Sequence, residues 1–172
     1  MQANLGSSRL NDLIVTIVVG VGATAAMDLW GLARKPLLGI APPDYRSLGR
    51  WLGHMAHGRF RHAAIAKALP VRGERLIGWT AHYATGIAFA AVLIAIWGTA
   101  WVARPTLAPA LFVGVGSVAA PFLLMQPGMG MGIAGARTPR PAAVRLQSLV
   151  THVVFGFGLY AAGWIARGLG LS

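Results

Sequence analysis

The sequence predicts an all-α fold, an integral membrane four-helix bundle, and three observations carry that expectation. Four apolar stretches, residues 13–33, 76–103, 105–126 and 146–166, contain no Lys, Arg, Asp or Glu except Asp28. Each reaches the roughly 20 residues that a helix needs to cross hydrocarbon. The 172 residues are 56% hydrophobic and 11% charged, which leaves room for four spans and short connections but no separate soluble domain. The mean hydropathy of +0.62 agrees. One membrane domain over 1–172 follows, with spans at about 13–33, 76–101, 106–126 and 146–167 and a loop at 34–75.

The first span carries an Ala23-Thr24-Ala25 sequence after an apolar run, which invites a signal-peptide reading. That reading fails on charge, because only Arg9 precedes the run whereas Arg34-Lys35 follow it. The same asymmetry sets orientation. Twelve of the fifteen Lys and Arg fall in the loops after the first and third spans, and Arg9, Arg104 and Arg167 fall on the other side. The positive-inside rule then expects both basic loops in the cytoplasm and both termini outside. A net charge of +11 would suggest nucleic acid in a soluble protein. Beside hydrophobic spans the nearer partner is anionic lipid at the cytoplasmic face, so no nucleic acid is expected. A protein partner or a homo-oligomer stays open.

The loop opens with the turn Pro42-Pro43-Asp44, Asp44 being a good helix N-cap. An amphipathic helix is expected over 44–57, with Tyr45, Leu48, Trp51, Leu52 and Met55 on one stripe and Arg46 and Arg50 off it. Such a helix should lie flat in the headgroup plane. A second short helix is expected over 61–69, ending at Pro70. His54, His57 and His62 form a second cluster in this loop and are read as belonging to its wet face.

The second span carries no ionisable side chain other than His82 and its neighbour Tyr83. The third holds Pro121, which removes a backbone hydrogen bond and should kink it. It then enters Gln126-Pro127-Gly128-Met129-Gly130-Met131-Gly132, too rich in glycine for a regular helix and a candidate re-entrant loop or cavity rim. Met125, Met129 and Met131 match a soft copper site in residue type only.

Two tandem helical hairpins are suggested by a faint repeat. Arg75-Leu76, His82 and Gly86 recur as Arg145-Leu146, His152 and Gly156, and Val19-Gly20-Val21-Gly22 recurs as Val113-Gly114-Val115-Gly116. Both matches join spans of the same orientation.

The candidate site follows from depth. Asp28 lies six residues before Arg34, and His82 and His152 lie seven beyond Arg75 and Arg145, which puts all three about 9–11 Å inside the cytoplasmic boundary at 1.5 Å per residue. Ionisable groups at such depth are costly and mark functional sites by default. Asp28, His82, His152, Gln126 and Tyr83 are therefore assigned to one pocket that binds a proton, a cation or a small ligand, in a transport or accessory role. Rival readings are a structural or assembly protein in which these groups only lock helices, an integral enzyme acting on lipid or quinone, and a haem clamped by His82 and His152. No cofactor and no metal is expected. The chain has no cysteine, which excludes disulfides and thiolate metal sites. Nucleophile elbows, Walker loops and H-E-x-x-H are absent too.

At Asp28-Leu29-Trp30, Gly49-Arg50-Trp51, Gly78-Trp79 with His82-Tyr83, Gln126-Pro127 with Gly130, and His152 with Gly158-Leu159-Tyr160, the chain resembles domain of unknown function 2938, an uncharacterised bacterial inner-membrane family. The resemblance covers nearly the whole chain. It implies a small multi-pass membrane protein and assigns no chemistry to any residue.

Overall fold

The computed structural model describes residues 2–171, with side chains from residue 10 onward, so Arg9 and Ser172 lie outside the described side chains. All regular structure among the described residues is helical: α1 Gln2–Leu38, α2 Tyr45–Met55, α3 Glu74–Trp97, α4 Ala100–Ala103, α5 Leu107–Gly116, α6 Gln126–Gly128 and α7 Pro141–Gly168. Four stretches are long and apolar enough to cross a membrane, namely Leu10–Leu38, Glu74–Trp97, Leu107–Gly128 and Pro141–Gly168. They match the four expected spans and form a four-helix bundle.

Helix ends depart from the sequence reading where a local breaker acts. The second stretch stops at Trp97, not near 101, because Gly98 adopts φ 73° and caps the helix. The chain then makes the short α4, which returns Trp101 and Val102 to the interior. The third stretch loses regular α-helical bonding at Pro121, where the sequence reading expects a break. After α5 ends at Gly116, residues Pro121–Met125 form a π-helical turn that leads into α6. Such turns widen the backbone helix and recur at functional sites. Left-handed Gly130 and Gly132 then end the run.

The expected helix over 61–69 is replaced by one short 3-10 turn, Ile65–Lys67. Its backbone groups are taken by the bundle instead. His62 N–H donates to the Gly128 carbonyl at 2.9 Å and Ile65 N–H to that of Met129 at 3.1 Å. The segment is thus an extended strap tied to the end of the third stretch.

Glycine decides how the long helices approach. A methyl group at Gly86 of α3 would overlap Thr24 Oγ1 on α1, and one at Gly20 of α1 would overlap the backbone at Ile87. On the other hairpin a methyl at Gly114 of α5 would overlap Gly156 of α7. These are the residues the sequence repeat aligned, so the α1–α3 and α5–α7 crossings use glycine in the same way. The two hairpins join through an extensive α1–α7 interface, whereas α3 and the third stretch meet only sparsely.

The core is confined to one end. Val15, Val19 and Ala23 of α1 pack with Ala90, Leu93, Trp101, Val102, Ala110, Val113, Phe155, Leu159, Ala162 and Ala166. All lie towards the poorly basic end of their helices. The opposite, strongly basic end is hollow.

Candidate functional site

The hollow end is roofed by α2. Asp44 caps this helix, its Oδ1 accepting the Arg46 N–H at 3.1 Å, and the helix begins at Tyr45 as expected. It ends at Met55, two residues short of the expected 57, in a turn closed by left-handed Gly58. α2 crosses the start of α3 at the glycine pair Gly49 and Gly78, where an added methyl would strike the Glu74 or Tyr45 carbonyl. Arg50 locks the crossing. Its Nε and Nη2 donate to Glu74 at 2.8 and 2.9 Å, and Nη1 reaches the Ala68 carbonyl in the strap at 3.3 Å.

This placement differs from the flat, lipid-facing helix that the stripe alone suggests. Tyr45, Leu48, Trp51 and Leu52 face a cavity inside the bundle. Met55 is partly buried and Arg46 is exposed. The physical reason is that the four long helices do not fill their own basic end, so the apolar stripe has protein to cover.

One carboxylate ties three elements together. Asp28 Oδ1 accepts from the Tyr45 hydroxyl at 3.1 Å and from His82 Nε2 at 3.0 Å, and Oδ2 accepts from the Tyr83 hydroxyl at 3.0 Å. The Tyr45 and His82 rings stack with centroids 4.1 Å apart. Burial and the Asp28 carboxylate push the Tyr45 phenol up, which keeps it a donor. Three of the residues named from the sequence thus meet, together with Tyr45, which the sequence reading gave to the membrane surface.

His152 has a different partner. Ser117 Oγ lies 2.6 Å from the Gly114 carbonyl and 2.7 Å from His152 Nδ1. The hydroxyl has one proton, and giving it to Gly114 makes Oγ the acceptor of the ring Nδ1–H. Nε2 then keeps its lone pair. By the repeat spacing Phe122 stands where Asp28 stands in the first hairpin, so the second histidine has no carboxylate of its own.

His82 of α3 and His152 of α7 line the same cavity of about 580 Å³. Gln126 lines it as well, 3% exposed and with Oε1 lacking a hydrogen-bond partner. So does Arg34, 9% exposed, whose Nη2 donates to the Ala41 carbonyl at 2.8 Å while Nε has no partner. The remaining wall is largely apolar, including Met27, Phe89, Leu124, Met125 and Phe155. Arg34 and Ser117 were not singled out from the sequence. Arg34 read as boundary charge, and Ser117 carries no signal beyond being polar in an apolar run.

The histidines of the loop also sort differently from expectation. His57 stays exposed, whereas His62 is only 6% exposed, 4.9 Å from the His54 ring, with neither nitrogen hydrogen-bonded. Burial, then the nearby Arg59 and His54, lower its pKa. Among the described residues no group of three or more His, Asp or Glu side chains is placed to hold a metal ion.

The family described as Protein of unknown function (DUF2938) matches residues 17–166. The chain belongs to this family. The matched region runs from the middle of α1 nearly to the end of α7, so in this family member it contains the glycine crossings, the roof helix and the whole cavity wall. No curated protein and no solved structure matches the chain.

Proposed function

We propose that this chain is a multi-pass protein of the bacterial inner membrane that holds a small ligand in an intramembrane cavity near its cytoplasmic side, in a transport or accessory role. The observation that carries the reading is the cavity itself. At about 580 Å³ it falls inside the roughly 300–1,000 Å³ of small-molecule sites, and it combines an apolar wall with a few convergent polar groups. The charge distribution supports a cytoplasmic placement, since twelve of the fifteen basic residues belong to its end of the bundle.

The polar groups divide their work. Asp28, His82, Tyr83 and Tyr45 satisfy one another and hold α1, α2 and α3 in register. His152 and Gln126 keep unspent acceptors and face the ligand. This division retains the assembly reading for the first cluster and the binding reading for the second.

Native mass spectrometry of protein released from its own membrane tests the proposal. Wild type should carry a bound small molecule, and Ala120→Trp, which puts an indole into the cavity, should lose it. The same mass retained by the filled variant would overturn the reading.

A further inference from the structure

We infer that the ligand is an acidic amphipath, with an anionic head on Arg34 and an apolar chain leaving the bundle between α3 and the third stretch. The inference rests on the binding reading above and specifies its ligand. Its first support is Arg34. A guanidinium that is 9% exposed should be paired, because removing a charge from water is costly without a counter-charge. Among the described residues the ion pairs are Arg50 with Glu74 and His82 with Asp28, and Arg34 bonds only a backbone carbonyl. The acid among the lining residues is Asp44, whose Oδ1 is engaged in capping α2. A planar guanidinium with a free Nε suits a carboxylate or phosphate that bridges two of its N–H groups.

The second support is the orphaned Gln126 Oε1, buried in the same wall, with His152 Nε2 as a further acceptor. These groups expect a donor, such as the hydroxyl of a glycerol backbone beside the acid. The third support is the seam. Thr85 of α3 and Leu124 of the π-helical turn both line the cavity and are both exposed, Leu124 by 66%. They stand on the pair of helices that meet only sparsely, so the cavity reaches the outer, apolar surface there. A free fatty acid and a monoacyl glycerophosphate share the anionic head and the apolar chain, and only the second also brings the hydroxyl donor.

The test reads quenching of Trp51, the tryptophan in the cavity wall, in full-length protein in lipid nanodiscs, with Trp51→Phe as the subtraction control. The probes are dibromostearate and dibromostearyl alcohol, which share a chain and differ in head charge. Wild type should prefer the acid by roughly tenfold or more, the worth of a charge-assisted hydrogen bond pair. Arg34→Gln should abolish the preference and Arg34→Lys should keep part of it. The wild-type comparison needs no variant, so poor folding of Arg34→Gln leaves the test intact. Competition by unbrominated oleate and by oleoyl lysophosphatidate separates the two sources, the tighter competitor naming the head. Competition by inorganic phosphate alone at equal concentration would overturn the amphipath. Equal quenching by acid and alcohol, lost in Ala120→Trp, would overturn the acid head and leave the pocket standing. Equal quenching in wild type and in Ala120→Trp would overturn both.

Discussion

Replacing Asp28 tests the architecture of the hollow end most directly. In Asp28→Ala three donors lose their acceptor at once: the Tyr45 hydroxyl, His82 Nε2 and the Tyr83 hydroxyl. The Asp28 and His82 side chains are only 16% and 12% exposed, so water replaces the lost acceptor poorly. Polar contacts inside membranes are worth about 0.6 kcal/mol on average and about 1.7 at most, and leaving a buried donor unpaired costs about 1–3 kcal/mol. At about 1 kcal/mol per donor the alanine variant loses about 3 kcal/mol. Asp28→Asn keeps one oxygen for Tyr45 and His82 and turns an amide towards Tyr83, whose hydroxyl can rotate to accept it. It should lose only about 1 kcal/mol. Steric trapping of the protein in bicelles measures both. In a Tyr83→Phe background the cost of Asp28→Ala should shrink by about 1 kcal/mol, one contact's share. An alanine variant within about 0.5 kcal/mol of wild type, the range of an ordinary surface change, would refute the claim that this carboxylate joins three helices.

Three further outcomes are expected. His62 has a lowered pKa, so the folded strap holds it neutral; that contribution is complete above the unfolded value of about 6.5 and is lost as pH falls towards the folded value. Protection factors of residues 59–70, with the intrinsic pH dependence of amide exchange divided out, should therefore fall between pH 7.5 and 5, and His62→Phe should flatten the part of that fall that His54 and His57 do not explain. Gly86→Ala forces a methyl against Thr24 Oγ1 and should cost about 1–3 kcal/mol, whereas Gly116→Ala, which meets nothing within 4 Å, should be neutral within about 0.5 kcal/mol; thermal melts in detergent compare the two. Fusions at the C-terminus should be active with a periplasmic reporter and fusions at Gly39 with a cytoplasmic one; the reverse pattern would invert the proposed topology.

Much of the fold was legible because lipid imposes a simple rule. Long runs without charge must be helices, and the breaks at Pro121 and at the glycine-rich segment fell where the backbone loses its donors or its regularity. Depth counting put Asp28 and His82 at one level, and the two side chains hydrogen-bond at 3.0 Å, since two rigid helices carry equal rises from their charged ends. It worked less well for His152, because equal depth says nothing about which helix faces which, and Ser117 lies closer to it. The roof helix was misjudged for a related reason. An amphipathic stripe reports that an apolar surface is waiting, and lipid was the only such surface visible from sequence. Three signals pointed the other way when taken together: Gly49 beside Arg50, Gly78 about one turn after Glu74, and a Tyr at the first position of the helix. None is informative singly. His62 was missed because a single histidine in a basic loop looks wet until the strap is seen to run against Gly128 and Met129.

The Asp28 cluster also dictates a sequence of events during synthesis. When α1 enters the bilayer its carboxylate is alone, because His82 and Tyr83 are made 54 and 55 residues later. On insertion scales an unpaired Asp at the centre of a span costs about 2.5–3.5 kcal/mol, an upper bound at the shallower level of Asp28, and the apolar remainder of α1 must outweigh the cost until its partners arrive. Arrival of α3 relieves that burden, and the glycine crossing at Gly20 and Gly86 brings the two backbones close enough for His82 to reach. Tyr45, although made first of the three donors, has its full set of contacts only once α3 is present, since α2 packs on both the carboxylate and the first turn of α3. The roof therefore closes only over a hairpin that has already paired, and a chain whose first hairpin is misregistered exposes the stripe of α2 as a visible mark of failure.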